Sequence, residues 1–270
     1  MPAIRDGASI PIDTGSPERF GYSWGNYSDI LPEHEAQFNR WTAPLTREDW
    51  KGASFLDVGC GIGRNSFWPM SYGAAGGLAI DVDERTLEAA RRNLRAFQSL
   101  EVRFQSIYDL SEKDQFDIVY SIGVVHHLEF PELAVRKMVA AARPGGKVLL
   151  WLYGYENNEW IVRFADPLRK ALFSRMPLGL VHALSFPITL LLWLLLKAGF
   201  APIEFFRMAR RFTFAHLRAI VFDHMIPKIA RYYRRDEAAA LLRQAGLENV
   251  CVIWVNEMSW AVSGVKPSGN

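Results

Sequence analysis

The chain has 270 residues, half of them apolar and 22% charged, and a net charge of +2. These proportions describe a folded globular chain and exclude a disordered, collagen-like or fibrous one; so small a net charge supplies no global field for nucleic acid. Cys60 and Cys251 are the only thiols, which excludes a disulfide scaffold or an all-cysteine zinc site and suits a reducing compartment. Arg5, Asp6, Asp13, Glu18 and Arg19 punctuate the first residues without an apolar run. No signal peptide is therefore expected, and the expected location is cytoplasmic.

Taken in chain order, residues 1–50 are rich in aromatics and helix signals. Pro32-Glu33-His34-Glu35 reads as a helix start that would carry Ala36, Phe38 (or Asn39) and Trp41. From Ala53 onward the pattern is strand, turn and helix, repeated. Ser54–Val58 and Gly77–Asp81 are short apolar runs of the kind that form buried strands. Asp83 is placed to cap a helix with Leu87, Ala90, Leu94 and Phe97 on one face. Val102–Phe104 and Phe116–Ser121 read as the third and fourth strands. Pro131 opens a helix that ends near Arg143-Pro144-Gly145-Gly146, and Lys147–Tyr153 is a fifth strand. Asp236 is expected to cap a last helix closed by Gly246, followed by an antiparallel hairpin over Val250–Val255 and Ser259–Val265. The alternation predicts an α/β fold: a Rossmann-like, seven-stranded, mostly parallel sheet with right-handed crossovers.

The most informative stretch is Leu56-Asp57-Val58-Gly59-Cys60-Gly61-Ile62-Gly63-Arg64-Asn65. A buried strand enters a turn with glycine at every second position and then a helix. Glycine there permits positive φ and close ligand approach, and the helix N-terminus suits a carboxylate or phosphate. Asp81 ends the second strand, where a carboxylate can accept from ribose hydroxyls. The site should hold a nucleoside beside an anionic group. A dinucleotide fingerprint places a third glycine where this chain has Arg64, which argues against a nicotinamide-dependent oxidoreductase.

The spacing Asp-x-Gly-x-Gly-x-Gly resembles the first motif of the class I S-adenosylmethionine-dependent methyltransferases. Phe116-Asp117-Ile118-Val119-Tyr120-Ser121-Ile122 followed by His126-His127 resembles the family's fourth-strand region, and Arg143-Pro144-Gly145-Gly146 its next turn. The resemblance covers about residues 50–155 and 235–266. It implies that Gly59, Gly61, Gly63 and Asn65 line S-adenosylmethionine, that Asp57 orders the turn, that Asp81 holds the ribose and that Val82 packs on the adenine. Where the family often has Asp, this chain has Ser106, beside Ile107; Ser121 and Ile122 end strand four near the sulfonium. Gly21–Tyr27 resembles an aromatic lid, with Trp24 and Tyr27 over the cofactor. A non-catalytic module that keeps the cofactor fold is a rival reading.

The sulfonium methyl is already activated, so alignment of the acceptor is the main task. A base is needed only where the acceptor loses a proton; His126, His127 and Tyr22 are the candidates, with Tyr153, Tyr155 and His224 behind them. Adjacent histidines diverge on a strand, so no metal is expected. The chain divides into a helical lid segment (1–50), the cofactor domain (51–155 and 235–270) and a cap insertion (156–234) over the carboxyl ends of the strands. Between Asn157 and Arg235 thirteen basic and four acidic residues leave +9, against −7 elsewhere. Prolines 167, 177, 187, 202 and 227 should break the cap into helices. Its uncharged run Met176–Leu196 has three readings: a buried cap helix or homodimer interface, a peripheral membrane contact, or a span. Arg207, Arg210 and Arg211 are candidate clamps for an anionic acceptor. The expected partner is a small lipophilic molecule, a lipid or quinone among the alternatives, and not nucleic acid.

Overall fold

Gly59 and Cys60 both donate their backbone N–H to the carbonyl of Ile80, at 2.8 and 3.0 Å. The first turn is thus fastened to the second strand in the computed structural model, which describes residues 29–268. The elements are α1 (Glu33–Trp41), α2 (Arg47–Trp50), β1 (Ser54–Val58), α3 (Arg64–Ser71), β2 (Gly76–Asp81), α4 (Glu84–Asn93), β3 (Leu100–Phe104), β4 (Phe116–Ile122), α5 (Pro131–Ala141) and β5 (Ala142–Tyr153). The cap follows with α6 (Asp166–Ala171), α7 (Leu178–Lys197), α8 (Glu204–Ala209) and α9 (Phe214–Met225). The chain then returns through α10 (Arg235–Arg243), β6 (Glu248–Val255) and β7 (Ser259–Val265).

The seven strands lie in the order β3-β2-β1-β4-β5-β7-β6. The first five are mutually parallel, and β7 runs antiparallel between β5 and β6. The order reverses between β1 and β4, so their carboxyl ends diverge into a crevice. Side chains alternate across the sheet. Leu56, Val58, Val119 and Leu150 join the core under α5 and α10, with Val135, Met138, Leu241 and Leu242. Phe55, Ile118, Tyr120 and Leu149 join the opposite core, with Phe38 and Trp50 from the N-terminal helices and Leu87 and Ala90 from α4. Trp50 and Tyr120 meet edge to face at 5.4 Å, and the Tyr120 hydroxyl donates to the carbonyl of Asn65 at 3.2 Å. The aromatic core therefore holds the first turn of α3.

Asp83 caps α4 as expected, accepting from the N–H groups of Arg85 and Thr86 at 3.0 and 3.2 Å. Two local expectations are corrected. Asp236 lies in the first turn of α10 instead of capping it; Arg234 is the N-cap, and its N–H donates to Glu237 Oε2 at 2.8 Å. Pro187 does not break the cap; it lies inside α7. It and Ala183, whose carbonyl it leaves without a helical donor, are both on the exposed side, where the helix tolerates the loss.

Candidate functional site

The crevice opens into a cavity of about 1000 Å³, with the cap as its far wall. Its floor is the glycine turn. Gly59, Gly61 and Gly63 take φ values of 77°, 53° and 79°, which residues with a Cβ adopt only under strain. Their surroundings divide the labour. A Cβ on Gly59 would stand 2.4 Å from Val124 Cγ2, and one on Gly63 would stand 2.5 Å from Leu94 Cδ1. A Cβ on Gly61 would meet nothing within 4 Å. Gly59 and Gly61 line the cavity; Gly63 lies off it and lets α3 approach α4.

Asp81 fastens this turn to β2. Its Oδ2 accepts the Gly61 N–H at 2.9 Å, and its Oδ1 accepts those of Val82 and Asp83 at 2.7 and 3.1 Å. Burial pushes its pKa up, and the three amides oppose that rise. Beside it, α3 begins at Gly63 without a side-chain cap among the described residues. Arg64 and Asn65 in its first turn line the cavity, so the helix end presents backbone N–H groups suited to a carboxylate. Val82, Ser106 and Ile107 line the adjoining wall. Ser106 Oγ accepts the Tyr108 N–H at 3.2 Å, and Asp109 stays exposed and off the cavity.

Asp57, expected to order the turn, and Ser121, expected near the sulfonium, both lie behind the cavity wall. Asp57 is buried, and its Oδ2 accepts from Ser66 Oγ at 2.6 Å, which ties β1 to the first turn of α3. Burial raises its pKa to about 7; the Ser66 and Tyr120 hydroxyls oppose the shift and the Asp81 charge adds to it. Ser121 donates to the carbonyl of Val58 at 2.8 Å and stays within the sheet, whereas Ile122 reaches the cavity. Tyr22, Trp24 and Tyr27 lie outside the described residues.

The histidine pair does not diverge on a strand. It occupies a single turn, Val125–His127, after β4, with ring centroids 4.2 Å apart. His127 lines the cavity, with Nδ1 2.7 Å from the Ile229 carbonyl oxygen. A carbonyl only accepts, so Nδ1 carries the proton and Nε2 is the acceptor nitrogen. Burial lowers the His127 pKa to about 4, with the Ile229 carbonyl opposing that shift. His126 is buried behind it against Tyr153, 3.9 Å between ring centres, and lies off the lining.

Sequence reasoning named Tyr153, His224 and Arg211 singly but missed Tyr232, Asp223 and the wall they form together. Tyr153 stacks on His224 of α9 at 5.5 Å and 10°, and Tyr232 lies 5.5 Å from the same ring. Burial lowers the His224 pKa and pushes that of Tyr232 up to about 12. Burial brings the Arg64 guanidinium down to about 10, and the charge of Asp223 on α9 opposes the shift. Arg211 lines the cavity. Arg207 pairs instead with Glu257 at 3.1 Å, Arg210 is exposed and off the lining, and Tyr155 lies off it under Arg234. Spacing along the chain carried no signal for a wall assembled from α1, β5 and α9.

Residues 56–150 match the family model described as a methyltransferase domain. Over that stretch the chain carries a methyltransferase domain. It is 30% identical over 139 residues to methyltransferase GfsG of Streptomyces halstedii, covering 48% of this chain and 49% of that protein. It is 31% identical over 128 residues to a ubiquinone biosynthesis O-methyltransferase of Pseudomonas syringae pv. tomato, with coverages of 46% and 55%. To a tRNA U34 carboxymethyltransferase of Klebsiella pneumoniae it is 32% identical over 130 residues, with coverages of 42% and 38%. The chain thus matches about half or less of the length of these relatives. The fold extends further. The magnesium protoporphyrin IX methyltransferase of Synechocystis PCC 6803, solved with SAH, superposes with a TM-score of 0.55 at 14% identity over 92% of this chain and 93% of that one. The methyltransferase SibL superposes with a TM-score of 0.53 at 16% identity, over 87% and 56%.

S-adenosylmethionine fits the residues present. The open side of Gly61 and the uncapped α3 end suit its amino-acid part, the Asp81 carboxylate its ribose, and Val82 and Ile107 its adenine.

Gly61→Ala is expected to fold with a loss of only about 1–2 kcal/mol from the strained φ, while its calorimetric affinity for S-adenosylhomocysteine falls at least ~10-fold. Gly63→Ala is expected to lose stability by more than this, because its Cβ meets Leu94 and the Cα of Ala90. Equal effects of the two on stability and affinity would contradict the division.

The Asp57 pKa lies above its ordinary value of 3.8. Its contribution to stability is therefore complete below that value and is lost as pH rises to about 7. Relative to Asp57→Asn, the wild type should lose up to ~4 kcal/mol of stability across that window. Urea melts with a difference that stays constant over it would refute the assignment.

Proposed function

We propose that the protein transfers a methyl group from S-adenosylmethionine to an oxygen, nitrogen or carbon atom of a small lipophilic acceptor. The observation that carries this reading is the cavity volume shared by the glycine turn and an aromatic wall of Trp41 from α1, Trp151 and Tyr153 from β5, and Phe212 and Tyr232 from the cap. Bound S-adenosylmethionine supplies an electrophilic methyl on a sulfonium, which departs as a thioether when the acceptor's lone pair takes the methyl. The protein's own task is to exclude water and hold the acceptor in line. Arg64 within the cavity and Arg211 on its wall suit an acceptor that carries an anionic group. A tRNA acceptor, as named for one relative, is disfavoured by the near-neutral charge and the depth of the cap.

For an acceptor that must lose a proton, His127 is placed to take it. It is neutral, its tautomer leaves Nε2 as the acceptor, and it lines the cavity. His126 supports it from behind.

A panel of lipophilic phenols, amines and acids, assayed by transfer of a labelled methyl group, tests the reading. On the accepted substrate, His127→Gln is expected to lower kcat about 100-fold and to leave S-adenosylhomocysteine affinity within about twofold. The acid limb of the wild-type profile should fall near pH 4, where His127 gains its proton, and not near 6.5. An unchanged kcat in His127→Gln would remove the base from the account.

A further inference from the structure

The cap helix α7 is apolar on the outside. Its buried face carries Val181, Ser185, Thr189 and Leu196, packed toward α9. The exposed side chains from residue 179 to 195 are all apolar, and Leu191 and Leu194 are 63% and 52% exposed. A helix on the surface of a water-soluble domain shows the reverse pattern. The inward polar groups are satisfied within the cap. Thr189 Oγ1 donates to the Ser185 carbonyl and Ser185 Oγ to that of His182, both at 2.7 Å. Arg218 of α9 donates to Ser185 Oγ at 3.2 Å and to the His182 carbonyl at 2.8 Å.

The preceding helical run adds an apolar stripe beside exposed Arg163 and Lys170. Trp160, Phe164, Leu168 and Leu172 recur at four-residue spacing and are all exposed. Charge then chooses the partner. The sequence holds no acidic residue between Asp166 and Glu204, whereas Arg169, Lys170, Arg175 and Lys197 fall in that interval; Arg169 and Lys170 pair with Asp166. Arg175 and Lys197 flank α7: Arg175 stands exposed just before it, and Lys197 stands exposed at its end.

We propose that the outer face of α7 lies in the headgroup region of an anionic lipid bilayer, with the helix parallel to the membrane plane. Apolar side chains enter the acyl boundary while Arg175 and Lys197 meet lipid phosphates at the two ends. Self-association through this face would bring cations together with no carboxylate in the segment to pair them. A transmembrane placement would pull α7 away from Arg218. α9 is also a wall of the cavity, through His216, Asp223 and His224. One helix thus separates the bilayer-facing surface from the acceptor site.

The test is sedimentation of the full chain with vesicles of phosphatidylcholine alone and of phosphatidylcholine with about a third phosphatidylglycerol. Binding is expected to the anionic vesicles, weakening at least ~10-fold from low to high salt. The double variant Leu191→Glu/Leu194→Glu should reduce it at least ~10-fold while keeping wild-type affinity for S-adenosylhomocysteine. Hydrogen exchange on the unmutated protein gives a second readout: residues 178–197 should gain protection on adding the anionic vesicles. Absence of sedimentation at low salt overturns the proposal. So does a dimer in light scattering that the double variant converts to monomer without any vesicle binding by the wild type.

Discussion

A single carboxylate organises the cofactor crevice. Asp81 accepts the N–H of Gly61 with one oxygen and those of Val82 and Asp83 with the other. It thereby locks the turn after β1 to the end of β2 and holds a backbone conformation that glycine alone adopts without strain. Two buried contacts brace the same turn from behind. Asp57 grips Ser66, and Tyr120 grips the carbonyl of Asn65. The crevice is therefore shaped by hydrogen bonds that reach from the sheet core, and only then lined by residues that face a ligand.

The cap gives the crevice depth. α9 presents one face to α7 and another to the cavity, so its side chains serve packing and the site at once. His127 and His224 both pack against Tyr153, and burial lowers the pKa of both imidazoles. The aromatic part of this wall, Trp151, Tyr153 and Tyr232, suits the orientation of an apolar acceptor, and Arg64, Arg211 and Asp223 supply the charge around it.

Much of the cofactor half was legible because buried parallel strands write short apolar runs between glycines. Asp83, Pro131 and Gly246 likewise mark their helix ends through local physics. The remainder depends on distance in space. Gly63 looks like its neighbours in sequence, yet its missing Cβ makes room for Leu94. His126 and His127 are equivalent by composition, and only the turn decides which one reaches the cavity. The ends of α7 are marked by Pro177 and Lys197, but its orientation was hidden: Ser185 and Thr189 mark one face, polar residues ordinarily turn to water, and here they turn inward.

Isothermal titration of S-adenosylhomocysteine into the wild type and into Asp81→Ala tests the central claim most directly. The account predicts binding by the wild type and a loss of at least ~100-fold, about 2.7 kcal/mol, in the variant, with the variant still folded by circular dichroism. Equal affinity in a folded Asp81→Ala protein would contradict it.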